Sequence, residues 1–210
     1  MRVMKQIEDR QTYMRMKTMK RLLIIGAGGH GKVVAEVAED IGYDEIAFLD
    51  DNAPEAIGKI SELEKFKEQY REAFIGIGNN KVRSKLMQKL RDYGYTVPVL
   101  IHPSVYVSRT AKIDSGTVVE PKAIVNANTE IGEGCIISVG AIVDHDVKIE
   151  DCCHINAGAI VKAGSKIESL RKLEAGEVVL GYSSAIVKAD SNSEFAKEHK
   201  EQTGKEVSFF

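Results

Sequence analysis

Two histidines and four acids stand close together in a stretch otherwise made of small, apolar and glycine residues: Asp144-His145-Asp146, then Glu150-Asp151, then His154. Histidine is the side chain whose ordinary pKa suits proton transfer near neutrality. A neighbouring carboxylate can orient its ring and stabilise its cation. Asp144 and Asp146 both flank His145, and either could do this. His145 is therefore a candidate general base that takes a proton from a nucleophile. The same residues also read as two solvated histidines on an acidic surface, and residue types alone leave both readings open.

A second group lies near the N-terminus. A short apolar run over 21–25 leads into Gly26-Ala27-Gly28-Gly29-His30-Gly31, then a helical pattern over 32–41, then a second strand over 45–49 that ends in Asp50-Asp51. Strand, glycine turn, helix and strand, with acids about twenty positions on, is the arrangement that lets backbone N–H groups and a helix N-terminus meet a phosphate. Gly28 and Gly29 are the candidate phosphate contacts, and His30 sits where it could reach the ligand. Asp50 and Asp51 could accept from a sugar hydroxyl. A charged helix is expected over 61–71 and a strand over 73–77. Gly78-Asn79 then opens a helix to about residue 93, with Asn79 and Arg83 near its start, and a last strand is expected over 96–100. In a parallel sheet these turns share the carboxyl rim where ligands bind. NAD is disfavoured, because the unit ends near residue 100, roughly half a full dinucleotide fold. The bland alternative is that the glycines only make a tight turn.

The element that must hold the histidine cluster has a different period. From Ile101 to Val179 every sixth residue is Ile, Val or Leu, and the position two before each is usually small. Helices repeat at 3.6 and strands at 2, so an unbroken period of six marks a solenoid of short strands and turns. Residues 169–177 carry charge at the small position and are expected to form an irregular or capping coil. The chain thus divides into an extension (1–19), an α/β Rossmann-like unit (20–100), a solenoid (101–189) and a polar tail (190–210) with a helix over 193–202. His102, before Pro103, reads as a junction residue.

Composition narrows the function. The chain has 210 residues, 43% hydrophobic and 29% charged, with a net charge of −2. That balance gives no electrostatic support for nucleic-acid or anionic-membrane binding. No apolar run is long enough to cross a bilayer, and the start lacks the apolar core of a secretory signal. Cytoplasmic location is the expectation. Three cysteines, Cys135, Cys152 and Cys153, make no disulfide framework.

The region from Lys20 to Lys188 resembles the sialic acid O-acetyltransferase-like family, whose bacillosamine-pathway type N-acetylates nucleotide-linked 4-amino-sugars. The resemblance rests on IIGAGGHGKVV, FLDD, IGIGNNKVR, LIHPSV and IVDHDVKIEDCCHINAGAIV. It implies a left-handed parallel β-helix with eighteen residues per coil, so Cys135 and Cys153 should stack in the core. It implies His145 as general base supported by Asp146, His154 beside the acetyl-CoA thioester, and a nucleotide sugar on the glycine-turn domain near His30. With that coil length Ala163 lies one coil beyond His145, its N–H placed for the thioester carbonyl. Ser138 takes a position that often carries a substrate-contacting Asn. Acetyl-CoA is the expected co-substrate, with no metal. The family forms trimers with sites between prisms, and Val118, Ile124, Ile136, Ile142 and Ile160 are the outward apolar residues expected to form that homotrimer interface. Relatives carry further coils after the Ala163 position, which hold the pantetheine and adenine; here the chain closes early. A catalytically weakened nucleotide-sugar-binding scaffold, or a zinc hydratase of the γ-carbonic-anhydrase type, are the alternatives.

Overall fold

The computed structural model describes residues 19–181. The extension at 1–18, the tail and the helix expected over 193–202 lie outside the described residues.

The N-terminal unit runs β1 (Arg21–Ile25), α1 (Gly29–Asp40), β2 (Glu45–Leu49), a 3₁₀ helix (Ile60–Phe66), β3 (Glu72–Ile75) and α2 (Asn80–Asp92). Its sheet is parallel with strand order β2-β1-β3. β1 is central, and both of its faces are covered. Leu23 and Ile25 pack with Met87 and Leu90 of α2, whereas Leu22 and Ile24 pack with Val34 and Val37 of α1. A strand buried on both faces has to be apolar throughout, which explains the unbroken run Leu22–Ile25.

Three boundaries differ from the sequence reading. α1 starts at Gly29 rather than at residue 32, because Gly28, in extended backbone, is its N-cap. The expected helix over 61–71 is only the 3₁₀ turn, with Leu63 alone buried on it. The expected strand over 96–100 does not form. Thr96 makes a single bridge to Glu72, and Leu100–Ile101 pairs with Val118–Val119 of the solenoid instead. Pro98, without an N–H, lies between them.

The solenoid is a three-sided parallel β-helix of two-residue strands. Partners lie eighteen residues apart: Leu100, Val118, Ile136 and His154 stack on one face; Tyr106, Ile124, Ile142, Ile160 and Val178 on the second; Lys112, Glu130, Lys148 and Lys166 on the third. The six-residue period supplies the interior, with Val125, Ile131, Ile137, Val143, Ile149, Ile155, Val161 and Ile167 all at 1% exposure or less. Cys135 and Cys153 are buried in that interior. From Gly116 to Gly176 every sixth residue turns the chain with φ between +54° and +72°. Glycine supplies many of these corners, and Asn128 and Asp146 are the polar types that tolerate the conformation best. Over 169–177 the coil loosens without losing its register: Lys172 makes a single bridge to His154 where a two-residue strand would continue the face, and Val178–Val179 then pairs with Ile160–Val161. Leu173 is fully buried there, so the inward register outlasts the loss of the small-residue rule.

The three faces differ outwardly. Leu100, Val118 and Ile136 join the core of the N-terminal unit, packed with Leu22, Val34 and Phe74. Val118 and Ile136 are therefore not interface residues, as expected from sequence, but the seam between domains. The third face is charged and solvated, with Lys112 paired to Glu130 at 2.8 Å. The second face stays apolar and open: Tyr106, Ile124, Ile142 and Val178 are 59%, 37%, 37% and 47% exposed.

Candidate active site

The carboxyl ends of β1, β2 and β3 carry the three turns singled out from sequence. Gly26 N donates to Leu49 O and Gly76 N to Ile25 O, so the turns adjoin. The glycines divide into two kinds. Gly26 has φ +100°, and a Cβ on Gly31 would lie 2.1 Å from Gly26 O, so the fold itself demands both. Gly28 and Gly29 are exposed, neither has positive φ, and a Cβ on either would meet nothing within 4 Å. The protein's own packing gives no reason for glycine there. What their bareness leaves is open space in front of the α1 N-terminus, where unpaired N–H groups favour an anion.

The acids beside this rim are occupied. Asp50 accepts from Ala27 N at 2.9 Å through Oδ2 and from Asn52 N and Ala53 N through Oδ1. The Ala27 bond, then the Asn52 bond, hold its carboxyl below the usual range. Asp50 thus ties β2 to the glycine turn. Asp51, exposed, accepts from Ile60 N at 3.1 Å. Asn79 caps α2, its Oδ1 accepting from Val82 N, which leaves its amide N–H groups for a ligand.

Arg83 is not on the rim. It is 1% exposed. Nε donates to Gly134 O at 2.6 Å, Nη1 to Ile77 O and Gly78 O, and Nη2 to Asn80 Oδ1, Cys152 O and Cys153 O. All five donors are committed to the protein, so the sequence-based substrate contact is corrected to a structural clamp. It fastens α2 and the turn after β3 to a solenoid corner. The corner's Cys152 packs with Met87 of α2.

His145 and Asp146 form the corner after the strand Ile142–Val143. The geometry distinguishes the two flanking acids. Asp144 Oδ1 accepts from His145 N at 2.7 Å and from Asn126 Nδ2. Asp146 Oδ2 lies 2.7 Å from His145 Nδ1. Its other oxygen accepts from Asn128 Nδ2, one coil earlier, at 3.1 Å. A carboxylate on Nδ1–H fixes the tautomer with Nε2 as the basic nitrogen. The Asp146 bond, with the Asp144 and Asp146 charges, raises the His145 pKa. One coil on, Gly164 N donates to His145 O. The neighbouring Ala163 N–H has no acceptor among the described residues. At the equivalent positions of other turns a side chain takes that N–H: Asp144 for His145, Asn126 for Ala127, Asn156 for Ala157. Lys162 offers no such acceptor. The chain passes so close at Gly181 that a Cβ there would lie 2.0 Å from Ala163 O.

The remaining candidates gather elsewhere, at the domain seam. Ser138 Oγ lies 3.1 Å from His154 Nε2, and His30 Nδ1 lies 3.5 Å from Glu120 Oε1. His30 Nε2 and His154 Nδ1 are buried without a partner among the described residues. Burial first, then the Arg83 charge, holds both histidines down to about 4, so both are neutral near pH 7. His102 is tied to Asp40 of α1 at 3.0 Å, a junction contact as expected. The structure therefore makes two groups from the sequence candidates: His145, Asp146 and Ala163 on one corner of the prism, and His30, Ser138 and His154 on the seam.

Residues 21–90 match the PglD N-terminal domain family. The acetyltransferase domain of PglB from Neisseria gonorrhoeae FA1090 is 36% identical, with a TM-score of 0.75, covering 77% of this chain and 83% of that one. The chain belongs to the bacillosamine-pathway acetyltransferase family. Its solenoid is accordingly the left-handed β-helix of that family. The same PglB domain is known in complex with acetyl coenzyme A, at TM-score 0.75 and 35% identity, with 78% and 83% of the chains covered. Perosamine N-acetyltransferase from Caulobacter crescentus, in complex with CoA and GDP-perosamine, matches at TM-score 0.70 and 30% identity over 76% of this chain and 88% of that one. UDP-N-acetylbacillosamine N-acetyltransferase of Bacillus subtilis (strain 168) is 32% identical over 117 residues, 48% of this chain. The chain spans about half the length (51%) of that curated relative.

Sequence reading missed three residues of this family member. Asn126 and Asn128 steady Asp144 and Asp146, and Glu120 faces His30. All three lie eighteen before a residue already singled out: Asp144, Asp146 and Ser138. The coil length was the signal that could have found them.

Proposed function

We propose that the protein moves the acetyl group of acetyl-CoA to an amine, or a hydroxyl, of a nucleotide-linked sugar by direct attack. The observation that carries the reading is the corner itself: an imidazole with Nδ1 held by a carboxylate, and a backbone N–H that has no acceptor among the described residues, one coil away on the same edge. The sugar nitrogen, as free amine, attacks the thioester carbon. His145 Nε2 takes the proton that the nitrogen must lose. Negative charge grows on the thioester oxygen, against which the Ala163 N–H is placed. The C–S bond breaks, and the imidazolium returns the proton to the CoA thiolate. The nucleotide binds over Gly28 and Gly29, where the fold leaves room for a phosphate. This is the activity that relatives are named for.

The reading includes a homotrimer. The open apolar face, Tyr106 to Val178, is the surface for neighbouring prisms. His145 of one protomer then faces His154 of the partner subunit across acetyl-CoA. No described helix is long and apolar enough to cross a membrane.

The test is kinetic. Removing a general base lowers kcat by roughly 10²–10⁴-fold. His145→Ala should do so with ligand binding kept. Asp146→Asn should move the acid limb of the native profile to lower pH, because the raised His145 pKa falls when its partner loses charge. Near-native kcat for His145→Ala, on a sugar the native protein acetylates, would sink this mechanism.

A further inference from the structure

The domain seam carries a buried acid that the mechanism above does not use. Glu120 is 7% exposed and starts a solenoid turn one coil before Ser138. Its Oε2 accepts from Val139 N at 2.9 Å. That backbone bond aims the other oxygen, Oε1, at His30 Nδ1, 3.5 Å away. His30 belongs to the first turn of α1, directly after the bare Gly28 and Gly29. Its far nitrogen, Nε2, is buried and has no partner among the described residues. Which nitrogen of a neutral imidazole holds the proton is set by the bond the other one makes.

We propose that Glu120 is a positioning residue that keeps the His30 proton on Nδ1, so that Nε2 is an acceptor for the amine or a hydroxyl of the sugar. The inference rests on the nucleotide-sugar reading and adds a selectivity to it: the seam takes a sugar that presents a donor at this point. Three features support it. A carboxylate anchored by a backbone N–H can only accept towards His30 while it is ionised. His30 is neutral near pH 7, so it has one donor and one acceptor nitrogen rather than two donors. An orphaned buried nitrogen costs stability unless something pairs with it, and the open space over Gly28 and Gly29 is where a ligand arrives. The 3.5 Å separation is long for a hydrogen bond, as such contacts often are before substrate closes on them.

Glu120→Gln inverts the chemistry without changing shape. Its single carbonyl oxygen stays on Val139 N–H, and its NH₂ then faces His30 Nδ1. His30 should move its proton to Nε2 and offer the sugar a donor in place of an acceptor. The experiment pairs imidazole ¹⁵N NMR at pH 7, with the His30 signal identified by His30→Ala, and steady-state kinetics with GDP-perosamine and a UDP-linked 4-amino-sugar as probes. The native protein should show Nδ1 protonated and Nε2 bare. Glu120→Gln should show the reverse, with the nucleotide-sugar KM raised about tenfold, and with kcat and the acetyl-CoA KM within about twofold of native. A native His30 protonated on Nε2 would overturn the proposal, even if the variant failed to fold. So would an unchanged His30 tautomer and KM in Glu120→Gln. If the native protein acetylates neither probe, the nucleotide-sugar reading fails, while the NMR arm still decides what Glu120 does to His30.

Discussion

Arg83 is the residue on which sequence and structure disagree most sharply, and one substitution separates them. As a phosphate ligand on the rim it would be dispensable for folding. As the clamp seen here it donates to the carbonyls of Ile77, Gly78, Gly134, Cys152 and Cys153 from a fully buried position. Arg83→Met keeps most of the stem's packing and removes every donor. A buried acceptor left unpaired costs about 1–3 kcal/mol. With five carbonyls affected and water recovering some of them, the loss should be roughly 3–5 kcal/mol, a large part of a typical domain's 5–15. Arg83→Lys reaches only some of the acceptors and should lose an intermediate amount. The assay is urea unfolding, read as a lower midpoint at unchanged slope. A second signature is local. The Arg83 charge is the next cause after burial of the low His30 and His154 pKa values, so both histidines should titrate higher in Arg83→Met. A variant with native stability and native histidine titration, but a raised nucleotide-sugar KM, would restore the ligand reading and refute the clamp.

The two seam histidines make stability depend on acid. Each is held at about 4 when folded against 6.5 when unfolded, so their contribution is complete above pH 6.5 and is lost as pH falls towards 4; with the share of the half-buried His154 reduced for solvent screening, from pH 7 to 5 the pair should lose on the order of 2–3 kcal/mol, the raised Glu120 pKa acting in the opposite sense. Replacing both by Asn should flatten the fall in urea midpoint across that range, and an unchanged slope would place the acid sensitivity elsewhere. On the open face, Ile142→Glu puts a charge into the centre of the apolar stripe and should give a folded monomer by light scattering with acetyl transfer lost; a trimer of native mass would show that this face is not the interface.

Much of the fold was legible because the solenoid encodes itself in a period that neither a helix nor a simple strand can produce. Its interior needed only Ile, Val and Leu at every sixth place. The turns after β1, β2 and β3 were legible from Gly26–Gly31, Asp50-Asp51 and Gly78-Asn79. Their individual duties were not, since duty depends on contacts across the chain. Gly31 is glycine because of Gly26 O, Asp50 is acidic because of Ala27 N, and Arg83 is basic because of carbonyls up to 70 residues away. The faces were not legible either. Val118 and Ile124 look alike in sequence, yet one is sealed by Leu22 and Val34 while the other is open, because nothing local records which side of the prism the N-terminal unit covers.

The histidine cluster shows how spacing can mislead. His145 and His154 are nine apart, and in a linear reading that makes them neighbours. The coil repeats every eighteen residues, as the pairing of Ile136 with His154 and of Ile142 with Ile160 shows. Nine is half a coil, so the spacing that makes a cluster in sequence puts the two on different sides of the prism. His145 turns the corner between the apolar and charged faces, and His154 stands on the face opposite, at the seam. A single chain cannot bring both to one thioester. If both act on acetyl-CoA, the second must come from another copy, across the face that is apolar and uncovered among the described residues. The general base, the seam niche and the open stripe therefore form one hypothesis, and breaking the assembly should abolish transfer even where every site residue is intact.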